Sequence, residues 1–111
     1  MCGRTVVARS IGELVTLFDV DDVIGEQPGI TYNNPPSLPA SIIVDRVLKN
    51  NEGEHAGELR RQLHSARWGL VPRNSQGPAS VPLHNNARIE TVLQKPTFRN
   101  AVLRQHCVMP V

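Results

Sequence analysis

The chain opens Met1-Cys2-Gly3-Arg4. Cysteine at position 2 is small enough for an aminopeptidase to remove Met1, leaving Cys2 with a free α-amine beside its thiol. That amine, with an ordinary pKa of about 7.7–8.0, is partly unprotonated near neutrality and can attack an aldehyde. The thiol, ordinarily near about 8.5, can then add to the imine and close a five-membered thiazolidine. Both nucleophiles sit on one residue, so proximity favours the closure. The thiolate could instead attack a carbonyl, as in N-terminal nucleophile hydrolases. Gly3 permits close backbone approach, and Arg4 supplies a charge of the kind that lowers a thiol pKa. The alternative is a cysteine with no special role, and position alone does not decide between them.

Three further segments carry chemistry-bearing residues. Tyr32-Asn33-Asn34-Pro35-Pro36 sets an aromatic and two amides before a rigid turn, which is either a capped turn or part of a site. Trp68-Gly69-Leu70-Val71-Pro72 holds the only tryptophan. It reads as a core anchor or as a platform on which an unpaired base stacks, worth about 1–3 kcal/mol per base. Asn86-Ala87-Arg88-Ile89-Glu90-Thr91 brings together an amide, a guanidinium and an acid. Arg88 and Glu90 would share one face of an extended segment and could pair structurally. As chemistry, Asn86 could orient a sugar hydroxyl or an imine, and Arg88 could clamp a phosphate. Phe98-Arg99 adds a second ring beside a cation.

Charge is unevenly distributed. Residues 1–58 contain four Lys/Arg and nine Asp/Glu, whereas residues 59–111 contain eight Lys/Arg and one acid, Glu90. The basic half suits a polyanion such as nucleic acid, unless folding interleaves the two halves and neutralises them. The two cysteines, Cys2 and Cys107, and the four histidines, His55, His64, His84 and His106, show neither CxxC nor HxxxH spacing, so no metal or other cofactor is expected. A reducing, cytoplasmic setting is the default expectation, nucleoid-associated if the partner is DNA. No basic segment followed by an apolar one opens the chain and no apolar run reaches a membrane span, so neither a secretory signal nor a membrane association is expected.

Elements must position these residues. The 111 residues, 40% hydrophobic and 20% charged, fit one domain or part of one, and nine prolines argue against a helical bundle. Strand signals lie at 3–8, 42–48 and 59–68, the last two expected to pair antiparallel. Ser10-x-x-Glu13 reads as a capping box for a helix over 11–18. Asp19, Asp21 and Asp22 read as an acidic loop. Residues 27–39 read as irregular, with prolines forbidding regular structure across 35–39. Residues 69–82 read as a long loop, 97–103 as a helix and 106–109 as a short strand that runs into the chain's end, leaving an edge open to pairing.

Taken together, MCGR, YNNPP, RWGLVP, NARIET and Phe98-Arg99 resemble, in order and spacing, the SOS response-associated peptidase (SRAP) family, which includes proteins that crosslink to abasic sites in single-stranded DNA. The combination of NAR-x-E-T with an N-terminal CGR is specific. The resemblance implies an α+β fold around a curved, barrel-like antiparallel sheet with short helices, of which residues 1–111 are the N-terminal part. It implies that Met1 is removed and that Cys2 forms a thiazolidine with the ring-opened aldehyde of an abasic site, with Asn86 contacting the abasic sugar. Arg4 and Arg88 would engage DNA phosphates, Trp68 and Phe98 would offer stacking surface, and Asn33 would line the site near Cys2; Arg99, beside Phe98, is a further candidate DNA-binding residue.

The resemblance also implies what lies beyond this stretch. Family members continue after the segment matching HCVMP with an aromatic-Glu-Trp motif, whose Glu is expected to assist imine chemistry, and carry a catalytic His further on. His84 and His106 do not match that position, and Glu90 belongs to NARIET, where it is expected to be structural. The sequence therefore reads as an apparently truncated domain that would act slowly alone or would need a complementary C-terminal half or a second copy. Two other readings use the same residues. One is a cysteine peptidase, acting on itself or another protein through Cys2. The other is a non-catalytic remnant that binds single strands through Arg4, Arg67, Arg88 and Arg99.

Overall fold

A computed structural model describes residues 2–49, 52–53 and 55–111. The first strand, β1 (Thr5–Val7), leads into helix α1 (Ile11–Leu17). Ser10 caps α1: its Oγ accepts from the Glu13 backbone N–H and donates to Glu13 Oε1, both at 3.2 Å. The helix stops because Asp19 turns left-handed at φ 54°. That turn lets the Val20 N–H reach back to the Val15 carbonyl at 3.0 Å, a six-residue closure of the helix end.

Two long strands dominate the rest of the fold. Strands β4 (Pro39–Lys49) and β5 (His55–Arg67) pair antiparallel from Pro39 opposite Arg67 to Lys49 opposite His55. The register slips between Val47 and Lys49, where Gly57 adopts φ 77° on the facing strand. β4 extends beyond the β-branched run that marks it in the sequence, and β5 starts before the expected Leu59. Pro39 is admitted as the first residue of β4, a place where a missing N–H is tolerated.

Two strands lie where the sequence reads as loop. Asp22 and Val23 form β2, parallel to β5 through Gln62 and Leu63. Thr31–Asn34 form β3, which pairs antiparallel with β1. The sheets are therefore a mixed β2-β5-β4 sheet and a separate β1-β3 pair. The expected all-antiparallel, barrel-like sheet is corrected on both counts: one pairing is parallel, and the sheet does not close. Closure needs an unbroken ladder, and Pro35 and Pro36, which lack N–H donors, separate β3 from β4.

The expected strand at 106–109 contracts to a single bridge, in which Val108 and Ile43 exchange two backbone hydrogen bonds of 2.7 and 2.9 Å. The 69–82 loop holds one 3-10 turn at Pro78–Ser80, and α2 (Pro96–Arg104) forms as expected. Among the described residues, no helix is long and apolar enough to cross a membrane.

The core is small. Among the described residues the buried hydrophobic side chains include Leu14, Ala40, Ile43 and Leu63. Leu63 is fully enclosed on the central strand β5, opposite Ile43 and beside Val23. Buried Asn34 donates to the Pro39 carbonyl, and buried Ser41 donates to Gln27 Oε1 at 3.1 Å. The accessible surface, 8092 Å², is about a third above what mass scaling gives for a self-contained domain of this size. The radius of gyration, 15.3 Å, likewise exceeds the roughly 13 Å of a compact chain of this length. Apolar side chains such as Leu17, Leu59 and Val108 stand exposed accordingly.

Candidate functional site

Cys2 is exposed, and its main chain is held from across the sequence. The side-chain amides of Asn85 and Asn86 both donate to the Cys2 carbonyl, at 3.1 and 3.0 Å. Two residues on, Arg4 Nη1 donates to Asn33 Oδ1 at 2.9 Å. Thr5 of β1 sits opposite Asn34 of antiparallel β3, so Arg4 and Asn33 lie on a diagonal across that pair, within reach of the long arginine side chain. Thus Cys2, Arg4, Asn33 and Asn86, drawn from three distant segments, come together.

A relay of backbone bonds delivers residues 84–86 to this place. The β4–β5 ladder continues through Trp68, whose N–H donates to the Leu38 carbonyl at 3.0 Å and whose carbonyl accepts from Ser37 at 2.7 Å. Gly69 then turns at φ 131°, a conformation that favours glycine, with Arg67 Nη1 donating to its carbonyl at 2.9 Å. A Cβ at Gly69 would stand 2.8 Å from Arg67 Nη1 and 2.9 Å from a Leu83 methyl, so a side chain there would have to displace the ends of both as well as bear the strained φ. Leu70 bonds to the His84 carbonyl at 2.8 Å, which returns the chain toward Cys2. His84 in turn meets the Phe98 ring edge-on, with centroids 5.7 Å apart and planes at 84°. That contact ties α2 to the same segment.

The remaining predicted residues flank this cluster along the chain. Trp68 and Phe98 are half-buried rings, each touching the relay just described. Arg88 and Arg99 are exposed, and among the described residues their guanidinium groups make no hydrogen bond or ion pair. Arg88 and Glu90 form no ion pair either. The chain enters a turn at Ile89, closed by the Thr91 N–H on the Arg88 carbonyl at 3.2 Å, so the shared extended face is absent.

The charge asymmetry is partly absorbed inside the fold. Arg60 of the basic half clamps Asp22 through two hydrogen bonds of 3.0 and 2.6 Å. Arg61 holds Asp45 at 2.7 and 3.1 Å and donates to the Phe18 carbonyl at 2.9 Å. Hydrogen bonding to these arginines holds both carboxyls below their ordinary pKa. The free arginines are thus concentrated after Trp68 rather than spread over β5.

The second thiol lies elsewhere. Cys107 lines an open cleft of about 590 Å³ with Phe18, Ile43, Asp45, Arg61, His106 and Val108. Desolvation there pushes its pKa up, which suppresses the reactive thiolate. Among the described residues no group of three or more His, Cys, Asp or Glu could hold a metal ion. The sequence reading missed Asn85. The signal available was the doublet Asn85-Asn86, of which only the second had a stated role. Met1, whose removal the reading expects, lies outside the described residues.

Fold and site together define an open α+β protein that displays a cysteine at position 2 on a scaffold of side-chain amides. The model of the SOS response associated peptidase (SRAP) family matches residues 1–111, and the chain belongs to that family. It is 31% identical over 113 residues to the abasic site processing protein YoaM of Bacillus subtilis strain 168, covering 99% of this chain and 44% of that one. It is 28% identical over 111 residues to the abasic site processing protein YoqW of the same strain, covering 99% and 45%. A crystal structure of a Bordetella bronchiseptica protein shares the fold with a TM-score of 0.63 at 23% identity, over 99% of this chain and 48% of that one. The chain thus spans about half the length of the relatives it matches.

Proposed function

We propose that this chain carries the nucleophile of an abasic-site processing protein that captures single-stranded DNA covalently through Cys2. The observation that carries the proposal is the exposed Cys2 whose carbonyl is held by Asn85 and Asn86, with Arg4 fixed on Asn33 beside it. The names of the relatives support the substrate. Once Met1 is removed, the Cys2 amine attacks the C1′ aldehyde of the ring-opened abasic sugar. Loss of one water gives the imine. The thiol sulfur then adds to the imine carbon, and its proton passes to the nitrogen. One C–N and one C–S bond have formed, the C=O bond is gone, and no redox partner is needed.

The surrounding residues bring the DNA to the thiol. Arg88 and Arg99, free of internal partners among the described residues, engage phosphates. Trp68 and Phe98 supply stacking surface, and Asn86, one peptide away from the amine, stands where the abasic sugar would lie. General acid/base groups that the resemblance assigns to the segment beyond residue 111 would accelerate the imine steps by about 10²–10⁴-fold. The exposed apolar surface is where a complementary half or a second copy would pack, and a reducing, nucleoid-associated setting suits this chemistry.

The test is a denaturing gel of the purified chain with a single-stranded oligonucleotide bearing one abasic site. A shifted band that Cys2→Ser removes supports the proposal. Equal bands from both proteins, or salt-sensitive retention without a covalent band, contradict it and favour a non-catalytic binder. The family description also contains the word peptidase. A peptide substrate cleaved only by the Cys2 form, with no DNA adduct, would assign the same thiol to proteolysis.

A further inference from the structure

The doublet Asn85-Asn86 places two amide donors on one acceptor, the Cys2 carbonyl, at 3.1 and 3.0 Å. A carbonyl has two lone pairs, and both donors are aimed at this one. Anchoring a chain end needs only one such bond. The other consequence is electronic. The Cys2 carbonyl carbon is bonded directly to the Cα that carries the amine. Donors on its oxygen increase its electron withdrawal and set two N–H dipoles, positive end inward, close to that amine. Both effects disfavour the ammonium form and leave more of the free amine that attacks an aldehyde.

We propose that Asn85 is a positioning residue for the Cys2 amine: acting with Asn86, its side-chain amide holds and polarises the Cys2 carbonyl. The inference rests on the covalent reading of Cys2, and it concerns a residue that reading did not use. The charged and titratable side chains on the segments that meet here are the Cys2 thiol itself, Arg4 before β1, Tyr32 on β3, His84 and Arg88 on the 84–88 segment, and Arg99 and Arg104 on α2. The one carboxylate that follows on the same stretch is Glu90, exposed in the turn after Arg88. All of them are common to the parent and to variants at position 85, so differences isolate that position.

The experiment uses the whole chain, with removal of Met1 checked by intact mass, and butanal as a small aldehyde probe. Thiazolidine formation adds the mass of the aldehyde less one water and is followed by mass spectrometry from pH 5 to pH 9. In parallel, the Cys2 Cα signal of ¹³C-cysteine-labelled protein is titrated by NMR, with Cys2→Ser fixing the assignment. Asn85→Ala is expected to raise the amine midpoint by about half a pH unit, roughly threefold less free amine at pH 7. Asn85→Asp keeps the shape, cannot donate when ionised, and adds a negative charge that favours the ammonium. Its midpoint must therefore rise further than that of Asn85→Ala. A loose N-terminus alone would change the rate with no ordered movement of midpoints.

Unchanged midpoints in both variants, or a smaller rise for Asn85→Asp than for Asn85→Ala, overturn the assignment. A chain that keeps Met1 has no amine at Cys2 and overturns it as well. Abasic DNA separates this inference from the reading beneath it. Shifted midpoints without a DNA adduct retain Asn85 and sink the covalent function, whereas an adduct with unshifted midpoints does the reverse.

Discussion

The β4–β5 hairpin and the Cys2 cluster are built on opposite terms. The hairpin is a long ladder, unbroken from Pro39 to Val47, around buried Leu63 and Ile43, flanked by the Arg60–Asp22 and Arg61–Asp45 pairs. The Cys2 cluster lies at the surface and rests on three side-chain amide contacts, from Asn33, Asn85 and Asn86. Rigidity sits in the first region and reactivity in the second. The relay through Trp68, Gly69, Leu70 and His84 connects them. The difference teaches that the ladder supplies the coordinates of the site while contributing none of its reacting atoms. Changes in the ladder should therefore act on stability, and changes in the cluster on capture of the aldehyde.

The sharpest break comes from Leu63→Ala. It should lower unfolding free energy by about 2–5 kcal/mol in urea denaturation, because Leu63 is fully enclosed on the central strand and its truncation leaves a void there. A loss below about 1 kcal/mol would show that the hairpin is not the stable region. Ser10→Ala removes the cap of α1 and should lower stability by about 1 kcal/mol while leaving aldehyde capture intact. Equal losses in both readouts would mean that α1 bears on the Cys2 cluster directly.

Acid should act on the hairpin first. The Asp22 and Asp45 carboxyls, bonded to Arg60 and Arg61, sit below their ordinary pKa. A carboxyl depressed in the folded state contributes stability that is present above its unfolded value, about 3.9. That contribution is lost as pH falls through the lowered folded value. Urea midpoints measured from pH 5 down to pH 2 should fall over this window, and Asp22→Asn with Asp45→Asn should flatten the fall. An unchanged acid limb in the double variant would remove these pairs from the account. The smallest stability effect should come from Asn33→Ala, within about 0.5 kcal/mol because the contact is exposed. Its capture of abasic DNA should nonetheless drop severalfold as Arg4 loses its fixed place. No change in capture rate would mean that Arg4 needs no fixing.

Much of the hairpin was legible in the sequence because its signals are local. Ile42–Val44 are β-branched, Leu59–Trp68 follows after a polar, turn-rich stretch, and Ser10-x-x-Glu13 marks the start of α1. What escaped is non-local or overridden by context. Two residues, Asp22 and Val23, form a strand only because Gln62 and Leu63, some forty positions later, offer a free edge. Thr31–Asn34 is masked by the prolines after it, although Thr31 and Tyr32 are good strand formers. The open sheet reflects the same prolines, whose missing donors break the ladder that a barrel would need.

At the site, the motif residues Cys2, Arg4, Asn33 and Asn86 come together. Asn85 escaped because nothing in a one-dimensional doublet says that both amides reach the same carbonyl. The basic half of the sequence was half right as a pointer. Arg60 and Arg61 are spent on acids of the first half, and the uncommitted Arg88 and Arg99 lie on either side of the turn before α2.

Peptide mapping of the DNA adduct tests the central claim most directly. The purified chain would be incubated with abasic single-stranded DNA, digested with nuclease and protease, and its N-terminal peptide weighed. The account predicts a peptide that begins at Cys2 and carries the sugar remnant less one water, stable without reduction and absent from Cys2→Ser. A remnant on a lysine, or a peptide that still begins at Met1 and carries the adduct on the thiol alone, would contradict it.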